Sequence, residues 1–344
     1  MQQASAGQAA AAMEPNSAPN TLTIERLKAY YINEHFGVKR EIRAVDDISL
    51  VVRRNEIYGL AGESSSGKTS LIRTLAGAIR PPMRVIDGSV TFNFGGRSID
   101  VYRQPAEMRA ARWRHLSYIM QGSMNVLNPV RRVKYSFRDF AERHMDQAGF
   151  WQHVEAHLKR LQLDPNVLEA FPHQLSGGMR QRLTIALATI CEPEFIVADE
   201  PTTALDVLVQ QDVLALIKEV QQRLKSSVVF VTHDMSVHAA ITDRLGIMYA
   251  GRLVEEGPTG QIFARPQHPY TAHLIGSLPR IGDLRVRKSL SGRPPALFDP
   301  PPGCRFHPRC PLAIERCRHE SPEMGASKTN GRVACHRAGE AEVA

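Results

Sequence analysis

"IYGLAGESSSGKTSLIRTLAGAI", residues 57–79, decides the fold of this 344-residue chain. An apolar, strand-like run leads into a glycine-containing loop, and "TSLIRTLAGAI" follows with apolar residues at helical spacing, a helix expected to stop at Pro81 and Pro82. Gly62, Gly67, Lys68 and Thr69 satisfy G-x-x-x-x-G-K-[ST] in the strand-then-helix setting that this motif requires. The chemistry behind the pattern is phosphate binding. Backbone N–H groups at a helix N-terminus receive phosphate oxygens, an ammonium reaches the outer phosphates, and a hydroxyl meets Mg²⁺. Ser65 stands at the fourth position of "GESSSGKT", where many loops of this type carry glycine. A left-handed backbone there costs a non-glycine residue about 1–2 kcal/mol, so Ser65 is expected to weaken nucleotide binding about 5- to 30-fold.

Outward from the loop, "LTIERLKAYYI" and "AVDDISLVV" read as strands of a small antiparallel sheet on the N-terminal side. A segment of about 122–190 is rich in helical patterns, among them "FWQHVEAHLKRLQL", where Val154, Leu158 and Leu161 share a face. From 194 the pattern alternates: "EFIVAD" as a buried strand, "LVQQDVLALIKEVQQRL" as an amphipathic helix, then "SVVFVT" and "LGIMYAG" as strands. Strands alternating with helices predict an α/β fold with a mostly parallel sheet covered on both faces.

Two further motifs belong with the loop. "FIVADEP" (195–201) ends a predicted strand with Asp199 and Glu200 side by side, one placed to hold Mg²⁺ and the next to polarise an attacking water. "LSGGMRQR" (175–182) is a Ser-Gly-Gly turn entering a helix, a second place where a backbone could approach phosphate closely. A single compact site has little use for both loops, so the second is expected to serve a nucleotide held by a partner.

Composition narrows the class. The longest apolar runs, such as "LTIALATIC" (183–191), fall short of the roughly 18–20 residues that span a bilayer. Residues 1–20 lack the layout of a signal peptide and read as a disordered, small-residue tail, so a cytoplasmic location is expected. The formal charge of +8 is scattered, with only short clusters such as "RRVKYSFR" (131–138), and no nucleic-acid partner is expected.

Together these residues resemble the nucleotide-binding subunits of ATP-binding cassette (ABC) transporters. "GESSSGKT" looks like the Walker A loop, "LSGGM" like the signature, "FIVADE" like the Walker B strand, and "ALD" (204–206) like the D-loop; "VTHD" would carry the switch histidine and "YIMQG" the Q-loop glutamine. The resemblance implies a P-loop NTPase with a RecA-like core over 21–261, an N-terminal antiparallel β subdomain and the helical insertion. It also implies that two subunits sandwich each ATP between one Walker A and the other's signature, which would explain the two loops. Gly62, Glu63, Ser64, Ser65, Ser66, Gly67, Lys68, Thr69 and Ser70 would then bind nucleotide, with Thr69, Asp199 and Gln121 at magnesium. Glu200, His233 and Gln121 would be catalytic; Leu175, Ser176, Gly177, Gly178 and Met179 would face the partner's ATP, beside the D-loop residues Ala204, Leu205 and Asp206. Tyr30 matches the adenine-stacking aromatic, with Tyr31 as its rival. Gly122, where many relatives carry an acid, and Ser65 depart from the family pattern and keep open a cassette that binds ATP without turning it over. A nucleic-acid ATPase of the same superfamily is the other alternative; that class typically carries long coiled-coil insertions, two cassettes in tandem or zinc modules, whereas this chain has one cassette and no long heptad run.

Past 262, "HPYTAHLIGSLP" (268–279) and "PPGCRFHPRCPLAIERC" (301–317) resemble the C-terminal extension of dipeptide and oligopeptide importers, a group that includes some nickel importers, and the signature is of the D-subunit type. That resemblance implies a second related ATPase, two membrane permeases, an external peptide-binding protein, and a peripheral place on the cytoplasmic face of the inner membrane. Cys304, Cys310, Cys317 and Cys335 are separated by 5, 6 and 17 residues and lack the short C-x-x-C pairs usual for zinc. Four thiolates suit an iron–sulfur cluster, and the family resemblance implies a four-iron four-sulfur group, with zinc the second choice. Cys191 is expected inside a buried helix.

Overall fold

A computed structural model describes residues 20–120, 126–142, 144–145, 148–203, 205–278, 290 and 292–340. The expected tail (1–19), Gln121, Gly122 and Ala204 lie outside the described residues. Asn20, placed in the tail by sequence, opens the first strand.

Two long strands, β1 (Asn20–His35) and β2 (Val38–Arg53), pair antiparallel, and β1 pairs on its other side with β4 (Met83–Phe94), which carries β5 (Arg97–Asp100). This is the expected antiparallel sheet, in the order β2-β1-β4-β5. Its buried face, with Leu22, Ile24, Val45, Ile48, Val90 and Phe92, packs over the first helix and the main sheet. Burial of that apolar face is what holds the two layers together, at roughly 25 cal/mol per Å² removed from water.

The main sheet has the order β11-β12-β10-β9-β3-β8-β7-β6. Its parallel part comprises β3 (Ile57–Ala61), β6 (Leu116–Ile119), β7 (Phe195–Asp199), β8 (Ser227–Val231) and β9 (Arg244–Tyr249). Strands β3, β7 and β8 are buried at every residue, as their continuous apolar sequence requires of strands covered on both faces. Then β10 (Arg252–Pro258), β11 (Gly325–Ala326) and β12 (Arg332–Val333) add on antiparallel.

Helix α1 (Lys68–Leu75) follows β3; α2 (Pro105–Ala111) precedes β6. The helical insertion holds α3 (Val133–Ala141), α4 (Phe150–Arg160) and α5 (Gly177–Thr189), and α4 buries Val154 and Leu158 as its periodicity predicts. α6 (Val207–Leu224) turns Val213, Leu216 and Val220 inward, and α7 (Met235–Ile241) follows β8. The boundary expected at 262 falls within α8 (Thr259–Ala264). Beyond it, α9 (Pro269–Gly276) buries Tyr270 and Ile275 in a core shared with β9, and α10 (Glu315–His319) carries Cys317.

Two local expectations are corrected. Helix α1 ends at Leu75, six positions before Pro81, because Gly77 turns left-handed at φ 59° and its N–H bonds to Thr74 O. Cys191 lies just past α5, half-buried against the core, since Glu192 at φ 49° breaks the helix. No described helix is long and apolar enough to cross a membrane.

Candidate functional site

Three neighbouring strands end level at one edge of the sheet. In register, Asp199 of β7 stands beside Val231 of β8, and Val231 beside Leu60 of β3. The chain leaves those ends as Glu200, as Thr232 and His233, and as the loop 62–67. Strands lie about 4.8 Å apart, so the acidic pair, the histidine and the phosphate-type loop, drawn from three parts of the sequence, meet within a few strand widths. The carboxyl edge of such a sheet is where ligands bind in α/β folds.

The loop is held by close backbone approaches that only glycine permits. A Cβ on Gly62 (φ 147°) would stand 2.2 Å from Met248 O, and one on Gly67 (φ 103°) 2.0 Å from Ala44 O. Ser66 O accepts from the Gly251 N–H at 2.8 Å, tying the loop to the β9–β10 turn. Ser65 is exposed and adopts φ 65°. Lys68 is buried, and its Nζ donates to Gly62 O (2.6 Å) and Glu63 O (2.9 Å). Burial lowers its pKa, while Glu200, Asp199 and Glu63 work against that shift. Thr69 and Ser70 begin α1 beside it, Ser70 Oγ 3.2 Å from Tyr31 Oη.

Asp199 is 3 % exposed. Its Oδ2 accepts from Tyr118 Oη at 3.2 Å, while its Oδ1 is buried without a hydrogen-bond partner among the described residues. Burial raises its pKa, and Glu200 adds to the shift against Arg73 and Lys68. Glu200 sits at φ 45°; its N–H donates to Val231 O (2.8 Å), its Oε2 accepts from Thr203 (3.0 Å), and its Oε1 lies 3.3 Å from His233 Nδ1. His233 is otherwise exposed, and Asp234 caps α7 behind it through Ser236 N–H.

Leu175 is buried, and the exposed Ser176 caps α5 by accepting from Met179 N–H at 3.2 Å. Gly177 and Gly178 form the first turn of α5, with Gly178 close against Val209 of α6. Leu205 is half-buried; Asp206 caps α6 by accepting from Val209 N–H at 3.0 Å. Val207 and Leu208 beside it are 69 % and 75 % exposed, an apolar pair left uncovered by the described residues. Burial raises the pKa of Tyr30, and its hydrogen bond to Asp46 Oδ1 at 2.5 Å adds to the shift, whereas Tyr31 packs into the core.

The four C-terminal cysteines form no disulfide and line one cavity of about 10 Å³ with His268, Phe306 and Arg337 among its other walls. Burial pushes the thiol of Cys304 up to about 11 and that of Cys335 to about 12, and raises that of Cys310. Among the described residues, no group of three or more His, Cys, Asp or Glu side chains stands ready-made for a metal ion. The set is convergent but not preformed. Sequence reasoning missed two residues at the phosphate loop, Tyr270 and Arg309, both from the C-terminal segment and both bonded to Glu63. Their distance along the chain leaves no local signal of that contact.

Comparison with known proteins gives the family. An ABC transporter family model matches residues 45–203, and a model of the oligopeptide/dipeptide transporter C-terminal region matches 254–317. The dipeptide transport ATP-binding protein DppD of Caldanaerobacter subterraneus subsp. tengcongensis is 38% identical over 92% of this chain and 96% of its own length. This chain belongs to the ABC transporter ATP-binding subunits of the dipeptide/oligopeptide family. DppD of Escherichia coli is 37% identical over 89% of this chain and 94% of its own, and OppD of Salmonella typhimurium, an oligopeptide transport ATP-binding protein, 37% over 82% and 84%. Among solved structures, cbiO1 from Clostridium perfringens matches with a TM-score of 0.59 at 23% identity, over 71% of this chain and 91% of its own. The cassette MJ0796, a dimer bound to ADP and Pi, matches at 0.56 and 22%, over 69% and 98%. At that identity the likeness speaks for the fold, that of an ABC ATPase cassette.

Proposed function

We propose that this ABC subunit binds and hydrolyses ATP to energise import of dipeptides or oligopeptides. The observation that carries the reading is the level meeting of three strand ends, which sets Lys68, the Asp199–Glu200 pair and His233 around one edge of the sheet. Gly62, Gly67 and the loop N–H groups cradle phosphate, and Lys68, already sensing three nearby carboxylates, reaches the β and γ phosphates when they arrive. Magnesium, when bound, neutralises charge developing on the transferred phosphoryl group. The residues that would hold it are Thr69 and Asp199, and the unpartnered buried Oδ1 of Asp199 is the vacant acceptor that fits. Glu200 takes a proton from the attacking water, and His233, aligned on Glu200, contacts the γ-phosphate. Gln121 links that water to the transport channel, and Tyr30 stacks on adenine.

The signature residues Leu175–Met179 and the D-loop Ala204–Asp206 serve the ATP of a second, related ATPase. Exposed Val207 and Leu208 at the head of α6 support such a pairing, since an uncovered apolar pair beside a cap is suited to an interface. Two permeases and an external peptide-binding protein complete the importer, with this chain peripheral on the cytoplasmic face of the inner membrane. Cys304, Cys310, Cys317 and Cys335 would hold a four-iron four-sulfur cluster that cross-links the C-terminal segment. Four thiols on one cavity support that donor set. At about 10 Å³ the cavity takes one water-sized body, so a cluster requires the surrounding loops to spread.

The test is Mg²⁺-dependent ATP hydrolysis by the chain with its partner subunits in proteoliposomes, together with uptake of a labelled dipeptide. Glu200→Gln should nearly abolish both while leaving ATP binding intact; unchanged hydrolysis sinks the assignment. Iron and sulfide analysis of anaerobically purified protein reads the cysteine site, where zinc alone would favour the other metal.

A further inference from the structure

The second residue of the phosphate loop, Glu63, is an acid, and an acid beside a bound triphosphate is electrostatically unfavourable. In the fold that carboxylate is not left to face the site. Arg309 grips it with two bonds, Nη1 to Oε2 at 2.8 Å and Nη2 to Oε1 at 3.1 Å, the forked geometry that is the strongest form of such a pair. The Arg309 side chain is 7 % exposed against 26 % for Glu63, so water screens the pair only in part. The backbone of the same residue is fixed as well: the Glu63 N–H donates to Tyr270 Oη at 2.8 Å.

Both groups are themselves rigidly mounted. Tyr270 is fully buried, its ring 4.7 Å from Tyr249 and 5.4 Å from Phe306 in edge and tilted contacts. Its own N–H donates to His268 Nδ1 (3.0 Å), and the buried Glu255 carboxylate accepts from the N–H groups of Gln267 (2.7 Å) and His268 (3.0 Å), so the start of α9 is anchored to β10. Arg309 stacks its guanidinium 5.9 Å from the centre of the Tyr249 ring and donates to that hydroxyl at 3.3 Å. An aromatic box from β9, α9 and the segment around Phe306 therefore stands behind the phosphate loop.

We propose that Arg309 and Tyr270 are positioning residues for the phosphate loop. The C-terminal segment neutralises Glu63, draws its carboxylate away from the phosphates, and fixes the first peptide of the loop through the Glu63 N–H, so that the N–H groups of the residues after it are left to face the nucleotide. This rests on the reading of residues 62–70 as the ATP phosphate loop. It adds that the cassette's nucleotide affinity depends on residues 207 and 246 positions further along the chain.

The test is ATP affinity of the purified full chain, measured by calorimetry with ATP and Mg²⁺ in Glu200→Gln background, alongside the thermal midpoint. Arg309→Met should weaken ATP binding about 10-fold by leaving an unpaired carboxylate beside the phosphates. Tyr270→Phe, which keeps the ring packing, should weaken it about 3-fold. In a Glu63→Gln background, Arg309→Met should cost less than 2-fold, because the charge it neutralises is gone; Arg309→Lys should recover part of the loss. A merely structural arginine would lower the midpoint equally in both backgrounds and show additive effects on affinity, and that result overturns the proposal. So does unchanged affinity in both Arg309→Met and Tyr270→Phe. Lys68→Ala separates the two readings: if it too leaves ATP binding unchanged, residues 62–70 are not the phosphate loop, whereas a loss confined to Lys68→Ala removes only the clamp.

Discussion

Ser65 occupies the left-handed region, at φ 65°. Where the loop keeps this conformation with and without nucleotide, the cost of about 1–2 kcal/mol for a non-glycine residue is met on folding. It then drops out of the binding equilibrium, and the 5- to 30-fold loss of affinity expected from sequence does not arise. The effect moves to stability. Glycine at this site would relieve the strain but add about 0.5–1 kcal/mol of unfolded-chain entropy, so Ser65→Gly should raise the unfolding free energy by at most about 1.5 kcal/mol in a urea titration. ATP affinity should stay within 2-fold. The motif made the loop legible from sequence, since a glycine–lysine spacing is a local pattern. The grip of Arg309 on Glu63 was illegible, because nothing local records a contact between residues so far apart. Asp199 shows the same limit: its place after a strand is readable, but not the orphaned Oδ1 that marks it as a vacant acceptor.

At the scale of elements, the strand–loop–helix unit depends on β2 and β9 as much as on its own residues. Gly67 turns at φ 103° with Ala44 O in the space a Cβ would fill, and β2 cannot retreat without breaking its ladder to β1. Gly67→Ala should therefore destabilise the chain by about 3 kcal/mol or more, read as a drop in the urea midpoint, and should abolish ATP binding in whatever fraction folds. Periodicity found α4, α6 and the buried strands because their apolar spacing is set by the faces they bury. It overran α1, whose end is dictated by Gly77 and by Tyr102 Oη donating to Thr74 O at 2.7 Å, a tertiary contact invisible in an apolar window. It likewise carried Cys191 into a helix that stops short of it.

For the whole molecule, three fully enclosed imidazoles set the acid limit. Burial lowers His157 and His238 to about 4 and His268 to about 3. Unfolded histidines take up protons near pH 6.5, so the unfolded chain binds more protons below that value and stability is lost as pH falls from about 6.5 towards 4. Three such groups give a slope of about 4 kcal/mol per pH unit. Asp199, Glu56 and Glu255, raised by burial, take up protons on folding in the same acid range and offset part of it. His157→Gln, at the Thr189 hydroxyl, should flatten the acid limb by about 1.4 kcal/mol per pH unit in urea titrations across that window.

The two short strands β11 and β12 have a bearing beyond their size. Val333 and Arg332 pair with Glu255 and Glu256, covering the open side of β10, which would otherwise be the sheet's border on that flank. Unpaired borders recruit other chains into continuous sheets. The segment that follows the cassette thus also shields it from self-association, and a chain that stopped at β10 would fold, if at all, with an adhesive rim.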